Sequence, residues 1–143
     1  MKYYPLILAT LLATRLLPAA AAEDWTLVTQ TDHVALYVDT RSITSKDGVL
    51  RAWEKWEYAS DRPGITATDR QPYHSARFLT HYDCRNRASV EVQKVFYDAN
   101  GTVVGKVTED PKSVRLTYVV PGLLSEAALD FVCKPRTPKK KKS

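Results

Sequence analysis

Side chains alternate with a period of two residues along most of this chain, and this pattern constrains the fold more than any other feature. In residues 75–84, one face holds Ala76, Phe78, Thr80, Tyr82 and Cys84, and the other holds Arg77, Leu79, His81 and Asp83. The same alternation marks residues 34–39, 49–58, 90–97, 103–107 and 114–118. A period of two is that of a β-strand. We therefore predict one small antiparallel sheet of about six strands.

Interruptions in the alternation predict the connections. Asp47-Gly48 and the run 98–101 are typical of tight turns, because Asn, Asp and Gly tolerate positive φ. Residues 60–73 contain two prolines and a glycine, which predicts a long loop. Residues 49–58 carry large side chains on both faces, so this strand is expected to be covered on both sides or at one end.

One helical pattern follows near the end of the chain. An apolar arc at helical spacing is formed by Leu124, Ala127, Ala128, Phe131 and Val132. Pro121 is expected at the first helical position, and Pro135 ends the pattern. The predicted fold class is α+β, with this C-terminal helix packed on one face of the sheet. Continued at 100° per residue, Cys133 points away from the arc, so a bond from Cys133 to the sheet requires the last turn to unwind or bend.

The first 22 residues have the features of a secretory signal peptide. Lys2 precedes an apolar stretch, and Ala20 to Ala22 provide a small-residue cleavage site. The stretch is about a dozen residues long and contains Arg15, whereas a membrane-spanning helix needs about 20 apolar residues. No cysteine lies near the cleavage site, so a lipoprotein signal is absent. The mature chain is expected to start at Glu23 and to be periplasmic, secreted or at the cell surface.

The chain has two cysteines, Cys84 and Cys133, and an exported protein is expected to join them in a disulfide. The alternative is a reactive or metal-binding thiol, but no CxxC spacing supports it. A disulfide closing a loop of about 50 residues contributes about 4 kcal/mol in the chain-entropy treatment. The bond is therefore predicted to tie the helix to the sheet.

Positive charge is concentrated at the C-terminus. The chain has a net charge of +5, but residues 23–133 hold 13 basic and 16 acidic residues, and residues 134–143 hold six basic ones. Residues 135–143, with Lys139–Lys142, are predicted to be a disordered basic tail that makes weak contact with anionic surfaces. Because the folded part, residues 23–134, is mildly acidic, no nucleic-acid partner is expected.

The order of several short motifs resembles the surface-adhesin protein E family. They are Trp25 with Leu27-Val28, Tyr37 to Asp39 with Ser42-Ile43, Asp83-Cys84 before a basic run, Phe96-Tyr97-Asp98 with Asn100-Gly101, and Val120-Pro121-Gly122 leading to Val132-Cys133-Lys134. The resemblance covers most of residues 25–134. It implies a small antiparallel sheet with a C-terminal helix tied on by a disulfide, a role in binding host extracellular-matrix and serum proteins, and no catalysis. This chain lacks the lipidated cysteine of the named adhesin, which favours a soluble periplasmic or secreted protein.

No catalytic or metal-binding motif is present. The sequence contains no GxSxG, HExxH, P-loop or GxGxxG pattern. Ser75, His81 and Asp83 fall on one strand face without an oxyanion hole, and His74 with His81 and Asp83 is no better supported as a metal site. We therefore predict no catalytic residues, no metal and no cofactor.

Four residues around Cys84 are candidates for protein binding: Arg77, Tyr82, Arg85 and Arg87. Arginine and aromatic residues are enriched at protein-binding hot spots, although a solvated strand face has the same composition. The predicted partner is a host matrix or serum protein. The alternative is an endogenous envelope protein, on which this chain acts as an inhibitor or chaperone-like factor. The oligomeric state is left open, a dimer included.

Overall fold

A computed structural model describes residues 22–64, 71–110 and 112–135. Eight strands and one helix follow each other in the described residues: β1 Trp25–Gln30, β2 Val34–Asp39, β3 Thr44–Lys46, β4 Val49–Arg62, β5 Tyr73–Asp83, β6 Ala88–Tyr97, β7 Val103–Thr108, β8 Thr117–Tyr118 and α1 Leu124–Cys133. The predicted signal peptide, apart from Ala22, and the Lys139–Lys142 run lie outside the described residues.

The strands form one antiparallel sheet in the order β1-β2-β4-β5-β6-β7. The sheet has eight strands, so the prediction of about six was wrong. The two additional strands are β1, which pairs with β2 at the edge of the sheet, and β3, which pairs with β4. β8 pairs with β6 beyond the end of β7. β3 is exposed throughout and β1 has no fully buried residue, so neither shows the alternation of a buried strand face. The predicted strand at residues 114–118 is reduced to β8, and β4 continues through Arg62 into the predicted loop.

The predicted turns are present where glycine is required. Gly48 and Gly101 have φ values of 79° and 80°, in the left-handed region that glycine adopts without steric cost. In the turn between β6 and β7, the Asp98 carboxylate accepts hydrogen bonds from the backbone N–H groups of Asn100 (2.9 Å) and Thr102 (2.8 Å). The side chain of Asp98 thus replaces ladder bonds that the turn interrupts.

One face of the sheet, which we call the helix face, carries the core. Alternate residues of β2, β4 and β5 point to it, and α1 packs over them, so that the buried set is Leu36, Val38, Ala52, Tyr82, Ala128, Leu129 and Val132. Farther along the same face, Ala76, Phe78 and Phe96 form a second buried cluster. Edge-to-face contacts between rings close this cluster, such as Trp56 with Phe78 at 5.5 Å between centroids.

The helix begins later than predicted. Its first residue is Leu124, and Pro121 lies three positions earlier rather than at the first helical position. Gly122 has a φ of 81° and its N–H donates a 2.8 Å hydrogen bond to the Glu126 carboxylate. The segment before α1 is therefore a turn at Gly122, which is closed by the Glu126 side chain from the first turn of the helix. Because Gly122 has a left-handed backbone conformation, the helix cannot start at Pro121.

Two connections tie the end of the β5–β6 hairpin to α1. Cys84 and Cys133 form the predicted disulfide, with their Cα atoms 5.6 Å apart. Arg87 donates hydrogen bonds to Asp130 at 2.8 Å and to Glu126 at 3.0 Å. The helix continues through Cys133, and only Lys134 adopts an extended backbone conformation. Of the two predicted possibilities, unwinding or bending, the last turn does not unwind, because Cys133 is the terminal helical residue and is bonded to the hairpin.

Among the described residues, no helix has the length and apolar character needed to cross a membrane.

Candidate protein-binding surface

The second face of the sheet, which we call the open face, carries a row of aromatic rings and cations. The Arg77 guanidinium carbon lies 5.3 Å from the ring centroids of both Trp25 and Tyr97. The Lys55 ammonium lies 4.5 Å from the Tyr37 ring and 5.4 Å from the Trp25 ring. Cations held over aromatic faces at these distances are attracted by the ring quadrupoles. Each cation is therefore positioned between two rings.

Strand register explains why these residues meet. Residues that are paired across neighbouring strands point to the same face. One line of such pairs runs across five strands, from β2 to β7, through Tyr37, Lys55, Arg77, Val95 and Lys106. Lys55, Arg77 and Lys106 therefore stand in one row across the sheet, and we call them the cation row. Like charges on directly opposite residues destabilise a sheet, so the contacts of Lys55 and Arg77 with rings and acids offset a local repulsion.

A single carboxylate is bound at Arg77. The Glu23 carboxylate accepts a 2.7 Å hydrogen bond from the Arg77 guanidinium and a 2.8 Å hydrogen bond from the indole N–H of Trp25. These two donors, with the hydrogen bond from Trp25 as the main cause, lower the pKa of Glu23. We call Arg77 and Trp25 together the carboxylate seat, because one supplies a charge and the other an orienting N–H.

A cavity of about 240 Å³ opens beside this seat. Its lining consists of Glu23, Trp25, Asp39, Trp53, Arg77, Val95 and Tyr97. Large side chains on both faces of residues 49–58 predict that this strand is covered on both sides or at one end. The helix packs over one face of β4, whereas on the open face Trp53 lines this cavity together with Trp25 and no described helix packs there.

The structure does not bring the four sequence-predicted binding residues together. Arg77 lies on the open face, whereas Tyr82 is 1% exposed and points to the helix face. Arg85 is exposed in the turn between β5 and β6. Arg87 follows in the same turn, and both its ion pairs are with α1. Arg77 is thus the residue of this set that belongs to the cluster of rings and cations.

A buried acid on the helix face was missed in the sequence analysis. Glu54 is 4% exposed, and its carboxylate accepts hydrogen bonds from the Tyr82 hydroxyl and from the indole N–H of Trp56 at 2.9 Å. Burial raises the pKa of Glu54, and the two hydrogen bonds oppose this increase in part. The signal was present, because Glu54 stands at an inward position between Ala52 and Trp56.

The structure shows no catalytic arrangement of Ser75, His81 and Asp83. Six positions along β5 separate Ser75 from His81, which corresponds to about 20 Å in a strand. Asp83 accepts its hydrogen bonds from Asn86, and the pKa of His81 is lowered by burial and by Arg51. His74 is instead paired with Asp61 at 3.0 Å. Within residues 22–64, 71–110 and 112–135, no group of three or more His, Cys, Asp or Glu side chains is arranged to hold a metal ion.

An exposed apolar patch lies at a second place, beside β8. Tyr118 is 81% exposed, and Val120 and Leu123 are each more than half exposed. These three residues line a cavity of about 480 Å³ that also reaches Glu91 and Lys94 on β6. The structure therefore presents two surfaces of different chemistry, one of cations and aromatic rings and one of exposed apolar side chains.

Comparisons with known proteins agree on the fold. The family model described as Surface-adhesin protein E matches residues 25–134. Two solved structures are similar. Protein E of Haemophilus influenzae is 14% identical with a TM-score of 0.54, and the match covers 81% of this chain and 88% of that one. Protein E from non-typeable Haemophilus influenzae is 15% identical with a TM-score of 0.52, covering 81% and 79%. No curated protein sequence matches this chain.

Proposed function

Because this chain belongs to the surface-adhesin protein E family, we propose that it is a non-catalytic binding protein of the bacterial envelope whose partner is another protein. The observation that carries the proposal is the open face, where Arg77 is stacked between Trp25 and Tyr97 and remains one-third exposed. Arginine, tryptophan and tyrosine are the residues that dominate the energy of protein interfaces. The open face is accordingly the surface that meets the partner.

The proposed partners are host extracellular-matrix or serum proteins. Binding of vitronectin, laminin and plasminogen to the immobilised exported protein at physiological salt tests this function. We expect at least one of them to bind, and Arg77→Gln to weaken that binding about tenfold or more, as expected for a hot-spot arginine. The control is Lys94→Gln, which removes one positive charge from the helix face, where Lys94 pairs with Glu91. Absence of binding by the wild-type protein would contradict the adhesin role.

A second candidate is an endogenous envelope partner, for which this chain acts as an inhibitor or chaperone-like factor. The exposed apolar patch of Tyr118, Val120 and Leu123 supports it, because contiguous exposed apolar side chains mark interaction sites. A photocrosslinking residue at position 118 is expected to recover one envelope protein reproducibly from living cells. Crosslinks to many unrelated proteins, or to none, would argue against this alternative.

We also propose that the protein is exported. The tagged protein should then be recovered from the periplasmic or extracellular fraction after envelope fractionation, with the N-terminus at Glu23. Lys139–Lys142 are proposed to add only weak, salt-sensitive contact with anionic surfaces. Recovery in the cytoplasm with an intact N-terminus would overturn both the export and the adhesin proposals.

A further inference from the structure

We propose that the open face binds the carboxylate side chains of an acidic peptide, and that Glu23 occupies the binding site in cis until such a peptide displaces it. The inference rests on the proposed function, since it names the chemistry of the protein partner at the same surface.

The carboxylate seat already shows the recognition geometry. Glu23 receives one hydrogen bond from Arg77 at 2.7 Å and one from Trp25 at 2.8 Å, so both of its carboxylate oxygens are engaged. Hydrogen bonds from a guanidinium to a carboxylate are charge-assisted, and they are stronger than bonds between neutral groups. Because Trp25 and Tyr97 flank the guanidinium, its orientation is restricted before any ligand arrives. A carboxylate of a partner would meet the same preorganised donors.

Charge along the sheet complements more than one carboxylate. The cation row places Lys55 next to Arg77, and Lys106 on the far side of Val95. Neighbouring strands are about 4.8 Å apart, so the row extends over about 14 Å. Lys106 is exposed, and no ion pair is made by its side chain among the described residues. An extended peptide with several acidic residues can therefore pair with successive members of the row.

Glu23 is placed so that it can leave the seat while the sheet remains intact. It precedes β1, which begins at Trp25, and its side chain is 49% exposed. The backbone is fixed at the next residue, where the Asp24 N–H donates to the Asp39 carboxylate and the Asp24 carbonyl accepts from the Thr40 N–H, both at 2.9 Å. Rotation of the Glu23 side chain breaks two hydrogen bonds and no strand pairing. Glu23 thus acts as a competitor for the site.

The occupant itself favours a peptide over an acidic saccharide. The group seen in the seat is a glutamate side chain on a polypeptide backbone, and the cavity beside it is lined by rings and by the acids Glu23 and Asp39. The fixed Asp39 carboxylate opposes a densely sulfated or carboxylated sugar chain, whereas a peptide can present one carboxylate to the seat and an apolar neighbour to the rings. We therefore commit to an acidic peptide segment of a protein partner.

The test is a titration of the exported protein with a decaglutamate peptide, followed by NMR of the indole N–H signals. The chain has three tryptophans, and only the Trp25 indole belongs to the carboxylate seat. We expect the Trp25 signal to shift on titration, while the Trp56 signal, whose N–H is bound to buried Glu54, stays in place and reports that the protein is folded. If Glu23 fills the seat about 90% of the time, Glu23→Gln strengthens the apparent affinity about tenfold.

Matched variants decide between specific and general attraction. Arg77→Gln is expected to abolish the Trp25 shift, and Lys106→Gln, an exposed position, to weaken binding severalfold. Lys94→Gln removes the same charge from the helix face and should leave affinity unchanged. The proposal is overturned if decaglutamate fails to shift Trp25 in Glu23→Gln, if Lys94→Gln weakens binding as much as Lys106→Gln, or if heparin shifts Trp25 as strongly at equal charge.

The same variants separate this inference from the proposed function. If a host or envelope protein binds and neither Glu23→Gln nor Arg77→Gln changes its affinity, the binding function stands and the acidic-peptide site is wrong. If decaglutamate binds as described and no host or envelope protein does, the site stands and the adhesin role is wrong.

Discussion

Glu54 and Lys55 are consecutive residues of β4, yet they point to opposite faces of the sheet and their charged groups have different surroundings. Glu54 points to the helix face, where it is 4% exposed and its carboxylate is held by Tyr82 and Trp56. Lys55 points to the open face, where its ammonium lies over the rings of Tyr37 and Trp25 and pairs with Glu57 at 2.8 Å.

The difference shows that the interactions of aromatic residues on each face depend on whether α1 excludes water from that face. On the helix face, α1 excludes water, so the rings of Tyr82 and Trp56 act through their polar tips, which donate hydrogen bonds to a desolvated acid. On the open face no described helix packs, and Trp25 and Tyr37 instead offer their ring faces to cations. The helix face thus contributes the buried core, and the open face keeps charged groups accessible to a partner.

The disulfide holds the cover of the helix face in place, and its removal should have the largest effect. In the variant Cys84→Ser/Cys133→Ser, the closed loop between positions 49 residues apart is lost, which costs about 4 kcal/mol in the chain-entropy treatment. This corresponds to a fall in Tm of roughly 15 °C for a domain of this size. Circular dichroism melts of the oxidised and reduced wild-type protein, with the variant as reference, measure the effect. A melt that is indifferent to reductant would contradict the pairing.

One substitution made on both faces gives the next largest contrast. Leu36 on β2 is fully buried on the helix face, whereas Leu79 on β5 is half-buried on the open face. We expect Leu36→Ala to lower the free energy of unfolding by about 3 kcal/mol, because a buried cavity is created, and Leu79→Ala to lower it by less than half of that. Urea denaturation of the two variants measures the difference. Equal losses would mean that the open face is as tightly packed as the core.

Glu54 makes the stability of the helix face depend on pH. Its pKa is raised in the folded protein above the ordinary value of 4.5, so the folded state binds the proton more tightly than the unfolded state. The stabilisation that results is fully present below pH 4.5 and is lost as the pH rises through the folded-state pKa. Glu54→Gln removes this titration and keeps groups that can hydrogen-bond to Tyr82 and Trp56.

Denaturation of the wild-type protein and of Glu54→Gln from pH 4 to 8 checks this prediction. The variant should gain stability relative to the wild type as the pH rises. Glu57→Gln is the control, because the Glu57 side chain is exposed on the open face, where it pairs with Lys55. A difference between wild type and Glu54→Gln that does not change with pH, or that changes in the opposite direction, would show that Glu54 is not a desolvated acid.

The helix face could be predicted from the sequence to a greater extent than the open face. Apolar alternation in β2, β4 and β5 identifies the inward residues, and the two cysteines identify the connection to α1, because burial and covalent bonding leave local signals. β1 and β3 left none, since a strand without a fully buried residue has no clear apolar period. The acid Glu54 interrupts an inward series, but only the three-dimensional contacts show that Tyr82 and Trp56 satisfy it.

The open face depends on register across several strands, which sequence alone does not specify. Trp25 and Arg77 are separated by 52 positions and meet because β1, β2, β4 and β5 pair in one register. The predicted binding set relied on proximity in sequence to Cys84, and it therefore combined Arg77 with Tyr82, whose side chain points to the other face. Strand alternation already places positions 77 and 82 on opposite faces, and this criterion would have separated them.

The smallest effect is expected for the cations of the open face. Lys55→Gln removes two contacts with rings and one with Glu57, but it also relieves repulsion from Arg77, the residue directly opposite on β5. Because the terms oppose each other near solvent, the free energy of unfolding should fall by less than about 1 kcal/mol. Urea denaturation at low and high salt measures this, with Lys94→Gln on the helix face as control. A decrease in the free energy of unfolding as large as that of Leu36→Ala would mean that the cation row stabilises the fold as much as a core residue does. That result would contradict the view that these cations are available to a partner.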